Sequence, residues 1–262
     1  MSSMQHLLEL MAQLRHPQTG CEWDLKQDFH SLTAHTVEEA YEVVDAIQRN
    51  NIDDLRDELG DLLLQVVFYS QIAQEDGLFD FDAVVTGLSD KLIRRHPYIF
   101  GDAENSTQQE REQAWEKIKT VERNAKSADH FSRLDGIARN LPALIQATKT
   151  QQRAANAGFD WTEVEPVIAK IHEELQEVKE AIDEADLDSI EDEIGDLLFA
   201  VVNLARHTHV DAETALCRAS RKFTKRFQYI EHKLENSGRV MEDTGLDELD
   251  EIWDEAKRAG IQ

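Results

Sequence analysis

Apolar residues recur every three to four positions along most of the chain, which is the period of a helix face. No stretch alternates at the period of two that a strand requires. Leu7, Leu8, Met11 and Leu14 place a first short helix over 4–15, ended by His16-Pro-Gln-Thr-Gly20. An aperiodic segment runs from Cys21 to about His30, and Ser31 is positioned to cap the helix that follows. Asn50-Asn51 turns that helix into a long one from Ile52 to about Glu75, stopped by Asp76-Gly77. Asp80 or Asp82 caps the next helix, which ends before Pro97. A polar loop at 101–107 leads to a helix over 108–125. Further helices are expected over 143–155, 164–185, 188–208, 211–236 and 246–258. The fold class is therefore all-α, built as two tandem helical bundles.

The tandem reading comes from a repeat. Glu38, Glu39, Glu42, Glu58 and Asp61 reappear as Glu173, Glu174, Glu177, Glu193 and Asp196, each 135 positions later. Apolar neighbours keep the same register, as in Val43, Ala46, Leu62 and Val67 against Val178, Ala181, Leu197 and Val202. The polar residues between the helices do not: Gln48-Arg-Asn-Asn51 faces Asp183-Glu-Ala-Asp186. A merely solvated face should drift as that loop did. The boundaries this suggests are residues 1–125 and 141–262 for the two domains, with 126–140 as linker.

Carboxylates three or four apart share one helix face, so Glu174 and Glu177 are neighbours, as are Glu193 and Asp196. Two such helices packed antiparallel bring both pairs to the edge of the core. Crowded carboxylates repel, and either bind protons or hold a cation. A donor set made only of oxygen suits magnesium, with manganese as the alternative. A di-iron bundle fits less well, since the usual Glu-x-x-His pairs are missing.

Composition narrows the partners. The 262 residues carry a formal charge of −25, which argues against nucleic acid bound by a basic surface. No apolar run is long enough to span a membrane. Cys21 and Cys217 fall in different halves and read as reduced thiols in a cytoplasmic protein. An anionic substrate would need a metal or a local basic patch. Each half has one: Lys91, Arg94 and Arg95 match Lys222, Lys225 and Arg226, and Trp115 with Lys119 matches Trp253 with Lys257. Such groups suit a polyphosphate, with Arg226 able to bind it bidentately and Trp253 able to cover a base or ribose. Lys170, one turn before Glu174, is a further candidate, as are Glu173 and Asp192 for substrate contact.

Together these words resemble those of the MazG-type nucleoside triphosphate pyrophosphohydrolases in their two-domain bacterial form. The matching stretches are Gly20-Cys-Glu-Trp-Asp24, Glu38-Glu-Ala-Tyr-Glu42, Asp57-Glu-Leu-Gly-Asp61, Arg94-Arg-His-Pro97, Trp115-Glu-Lys-Ile-Lys119, Leu141-Pro-Ala-Leu144 and Gly158-Phe-Asp-Trp161, covering nearly the whole chain. Glu22 departs from the family's usual proline. The resemblance implies an all-α homodimer that splits nucleoside triphosphates, ATP included, to monophosphate and pyrophosphate using magnesium. It implies a pool-cleaning or stress role. Carried over, the metal ligands are Glu174, Glu177, Glu193 and Asp196, and in the first half Glu39, Glu42, Glu58 and Asp61. Glu173 or Glu174 would accept the proton of the attacking water. Base specificity is expected to be broad, because no residue obviously reads a base edge. A regulatory module that binds nucleotide without turnover is the rival reading.

Overall fold

The structure, a computed structural model, describes residues 2–101, 107–124 and 132–261. Every regular element among the described residues is helical. The chain divides into two compact units, Met1–Glu122 and Arg123–Gln262. The expected loop at 101–107 and linker at 126–140 fall partly outside the described residues.

Unit 1 begins with α1 (Ser3–Leu14), whose Ser2 side chain accepts the Gln5 N–H at 3.2 Å. The loop that follows closes tightly at Gly20, where a Cβ would sit 2.4 Å from the Leu14 carbonyl oxygen. Only glycine fits there. The segment expected to be irregular contains a short helix, α2 (Glu22–Lys26), with acids in its first turn and Lys26 in its last. Ser31 is not the cap of the next helix. It accepts the Asp28 N–H and donates to Gln27, while α3 (Thr33–Arg49) starts from Leu32 without a side-chain cap. Burial of Leu32, 1% exposed, holds that end instead.

α3 turns back through Asn50, in the left-handed region at φ 55°, into α4 (Ile52–Glu75). Asn51 caps α4 by accepting the Asp54 N–H. α5 (Phe81–Arg95) is capped by Asp80, not Asp82, through the Ala83 N–H at 2.8 Å. α6 (Pro97–Phe100) and α7 (Gln108–Asn124) follow. The core of this unit joins Met11, Leu32, Val67, Phe68 and Ile72. Arg15 is buried against it, paired with Glu75 at 2.7 Å and set 5.4 Å from the Phe68 ring centre.

Unit 2 repeats the design with α8 (Ala143–Asn156), the antiparallel pair α9 (Val164–Glu184) and α10 (Leu187–His207), then α11 (Ala212–Asn236) and α12 (Leu246–Arg258). Gly158, at φ +93°, lets the chain leave α8 towards Phe159, Asp160 and Trp161. Ala185 takes the left-handed turn between α9 and α10 at φ 57°, the place of Asn50 in unit 1. α11 and α12 form their own apolar contact around Ile230, Leu234 and Ile252.

Candidate metal centre and adjoining cavity

The acid positions sit on the helix pair of each unit because carboxylates at the spacing of one turn stack along one edge, beside the buried stripe. In unit 2 that stripe is Val167, Val178 and Ala181 on α9 and Ala200 and Val202 on α10. Glu174 falls on its margin and is only 4% exposed. Carboxylate oxygens of Glu174, Glu177 and Glu193 lie within 4.8 Å of one another. Burial, with Glu174 alongside, pushes the Glu177 carboxyl above its ordinary value.

Lys170, one turn earlier, donates to Glu173 at 2.8 Å and approaches Glu174 Oε1 at 2.6 Å. Glu173 and then Glu174 hold its ammonium well above the usual lysine range. The other Glu174 oxygen, Oε2, is buried and has no hydrogen-bond partner. A buried carboxylate oxygen without a partner costs free energy. An all-oxygen group with one orphaned buried oxygen fits a divalent cation. Asp196 stands outside the three-residue group but lines the same cavity as Glu174 and Lys170. Asp192 and Glu173 are exposed.

In unit 1 the group is Glu39, Glu58 and Asp61, while Glu42 stands outside it. Burial first, then Asp61 and Glu42, pushes Glu39 upward; burial, then Glu42 and Asp61, does the same to Glu58. His35 occupies the place of Lys170, and its Nδ1 is 3.7 Å from Glu38.

The basic and aromatic candidates of unit 2 gather elsewhere, on α11 and α12. Arg226 donates through Nε to the Ile261 carbonyl and lies 5.5 Å from the Trp253 ring centre. Trp253 packs on Phe223 with centroids 5.0 Å apart. Lys257 pairs with Asp254 at 2.8 Å, and Lys222 is exposed. None of these four lines the cavity beside the acids. Lys119, in unit 1, stacks over Trp115 at 4.5 Å.

That cavity, about 770 Å³, is the feature that periodicity did not reveal. Lys170, Glu174 and Asp196 line it, and so do Gln151, Phe199 and Asn203, the last about two turns along α10 from Asp196, with Phe159 and Trp161 also on its wall. Its volume falls within the roughly 300–1,000 Å³ typical of small-molecule sites. Asp160 clamps Arg206, which in turn donates to Asn203 Oδ1 at 3.0 and 2.8 Å. The signal that could have found the pocket was a break in the repeat: Phe68 of unit 1 becomes Asn203, polar in a buried stripe.

Comparison with known proteins finds relatives of this chain. A model of the MazG nucleotide pyrophosphohydrolase domain matches residues 27–100 and 162–230. A nucleoside triphosphate pyrophosphohydrolase of Escherichia coli is 49% identical over 100% of this chain and 99% of its own length. The nucleoside triphosphate pyrophosphohydrolase/pyrophosphatase MazG of Thermotoga maritima is 46% identical over 97% of this chain and 95% of its own. A nucleoside triphosphate pyrophosphohydrolase of Mycobacterium tuberculosis is 35% identical over 59% of this chain and 46% of its length.

Proposed function

The chain belongs to the MazG nucleotide pyrophosphohydrolase family, and from that premise we propose that it hydrolyses nucleoside triphosphates to monophosphate and pyrophosphate, with magnesium, at the acid group of unit 2. It is a hydrolase of phosphoric anhydrides. The observation that carries the choice of unit 2 is the orphaned Glu174 Oε2 beside Lys170 at the end of a nucleotide-sized cavity.

The residues divide the work. Glu174, Glu177 and Glu193, with Asp196 at the cavity wall, would hold the cation. When bound, that cation would neutralise triphosphate oxygens and acidify the attacking water. Water adds its oxygen to the α-phosphorus, the bridge from α-phosphorus to β-phosphate oxygen breaks, and pyrophosphate leaves with that electron pair. The proton of the water passes to a carboxylate of the cluster, Glu173 or Glu174. Lys170 positions both of these carboxylates and supplies one positive charge in a strongly acidic region. Lys222 and Arg226 stand apart from this cavity and take no part in the proposed step. Positioning and charge stabilisation account for the catalysis.

Broad base specificity, and with it a pool-cleaning role, belongs to this reading. So does a homodimer in the cytoplasm. Exposed Leu175, Ile182, Ile194, Leu198 and Val201 on the α9–α10 pair support assembly with a second copy. No helix among the described residues is long and apolar enough to cross a membrane.

The deciding experiment is product analysis with each triphosphate, with and without magnesium. Monophosphate plus pyrophosphate, formed only with the metal, is the expected result. Diphosphate plus phosphate would mean attack at the γ-phosphorus and would overturn the reading.

A further inference from the structure

We propose that the far end of the unit 2 cavity receives the nucleobase, and that the amides of Gln151 and Asn203 read its hydrogen-bonding edge. This rests on the function proposed above and adds to it the residues that hold the base.

Gln151 is 7% exposed, and its Nε2 donates to the Phe199 carbonyl at 2.7 Å. That bond fixes the amide's orientation, since the reversed amide would set oxygen against oxygen. Its Oε1 is left buried without a partner. A buried acceptor in this position asks for a donor from a ligand. Asn203 is also 7% exposed and commits its oxygen to two N–H groups of Arg206. The end of its amide left for a ligand is the donor, Nδ2. One acceptor and one donor on a cavity wall match the adjacent donor and acceptor that every nucleobase carries on its pairing edge. Such a pair anchors a base without demanding one base, because each base carries a donor beside an acceptor and can turn to present them.

The repeat supplies an independent argument. Asn203 stands where unit 1 has Phe68, 135 positions earlier. Gln151 stands nine residues before Asp160, as Arg15 stands nine before Asp24. Arg15 and Phe68 touch each other in unit 1, with the guanidinium 5.4 Å from the ring centre. There Arg15 is satisfied by Glu75 and by the carbonyls of Asp24 and Gln27, and Phe68 is 3% exposed in the core. The scaffold therefore folds with this place filled. Unit 2 opens it and lines it with two amides, in the cavity that Glu174 and Asp196 also line. Phe159 and Trp161, on the same wall, offer aromatic faces for the ring.

The test uses the full chain and two probes bound without turnover: inorganic tripolyphosphate and a nucleoside triphosphate, each with calcium in place of magnesium, titrated by calorimetry. Gln151→Met keeps volume and removes the acceptor. Ala154→Phe fills the cavity from another wall residue and serves if the first variant proves unstable, with helical circular dichroism and melting checked for both. The expected result is a loss of about tenfold or more in triphosphate affinity for Gln151→Met, with tripolyphosphate affinity unchanged. Ala154→Phe should do the same. Equal losses for both probes, or no loss for the nucleotide, would overturn the proposal. Pyrophosphate release by the parent protein, assayed separately with magnesium, distinguishes the two levels. Release together with unchanged nucleotide affinity in the variants sinks the base pocket alone. Absence of release sinks the catalytic reading, and the calorimetry still decides the pocket.

Discussion

The two units carry the same acid frame over different interiors. Glu39 and Glu58 of unit 1 crowd together with Asp61, and His35 stands where a lysine would answer them. Glu174 of unit 2 has Lys170 on one oxygen and nothing on the other. Behind the frame, unit 1 packs Phe68 into a core with Met11 and Leu32, whereas unit 2 keeps a cavity and puts Asn203 at the equivalent place. The turn between the acid helices differs too, with Asn50 against Ala185 in the same left-handed conformation. A duplicated scaffold can thus keep its acids in register while one copy fills its interior by packing and the other keeps a pocket. Acid spacing alone does not tell these two interiors apart.

The comparison can be broken most directly at the acids. In the full chain, Glu193→Gln should lower pyrophosphate release about a hundredfold or more, because it removes a carboxylate from the group. Glu58→Gln should leave release within a few-fold. A loss of only about half for each would mean both units turn over substrate, since either would then continue alone. Next in size is the packing difference. Phe68→Ala should destabilise unit 1 by about 3–5 kcal/mol through the cavity it leaves, read as a lower denaturant midpoint. Asn203→Ala removes a smaller side chain beside an existing cavity and should cost less than that. A larger loss at Asn203 would mean the cavity wall bears more of the fold than the core of unit 1 does.

Lys170→Gln should cost about tenfold in pyrophosphate release, since it withdraws the charge from Glu173 and Glu174. His35→Gln, at the matching place, should change release little.

Acid pH sharpens the contrast further. Arg206 beside Asp160 holds that carboxyl below the ordinary aspartate value of 3.8. A depressed folded-state value stabilises unit 2 above about pH 3.8, and the contribution disappears as pH falls through the folded value. In unit 1, Arg94 and Arg95 hydrogen-bond Glu122, and Arg95 foremost lowers its carboxyl to about 2. That contribution is complete above the ordinary glutamate value of 4.5 and is lost towards pH 2. Asp160→Asn and Glu122→Gln should each flatten the acid limb of one transition only. Flattening of the same transition by both would show that the units do not unfold separately. The smallest effect is at the turn. Ala185→Asn should raise the stability of unit 2 by about 0.5–1 kcal/mol, because asparagine tolerates the left-handed region better than alanine. Asn50→Ala should lower unit 1 by a similar amount.

Much of this was legible beforehand. The helical period located the long helices to within a residue or two at most ends, and Asp80 caps α5 as one of the two candidates. The short α2 escaped because five residues are too few for a periodic pattern to emerge. Ser31 escaped because its hydroxyl found Asp28 and Gln27, a local competition that cap statistics do not resolve. The acids came together as their spacing implied, three to each group, with Asp196 and Glu42 left at the margin. The basic and aromatic residues of α11 and α12 were grouped with the acids by repetition alone, and they lie instead in a contact of their own around Trp253.

From the sequence alone came the elements, their duplication, the family and the acid frame, because each depends on residues near one another on a single helix or at a constant offset between two. The open place behind one frame and the filled place behind the other were decided only by the tertiary structure. A cavity is bounded by side chains from three helices and two loops, and whether they meet depends on volumes such as those of Phe68 and Asn203 within the packed interior. The orphaned oxygens of Glu174 and Gln151 belong to the same class of fact. A polar atom is unpaired only with respect to everything folded around it.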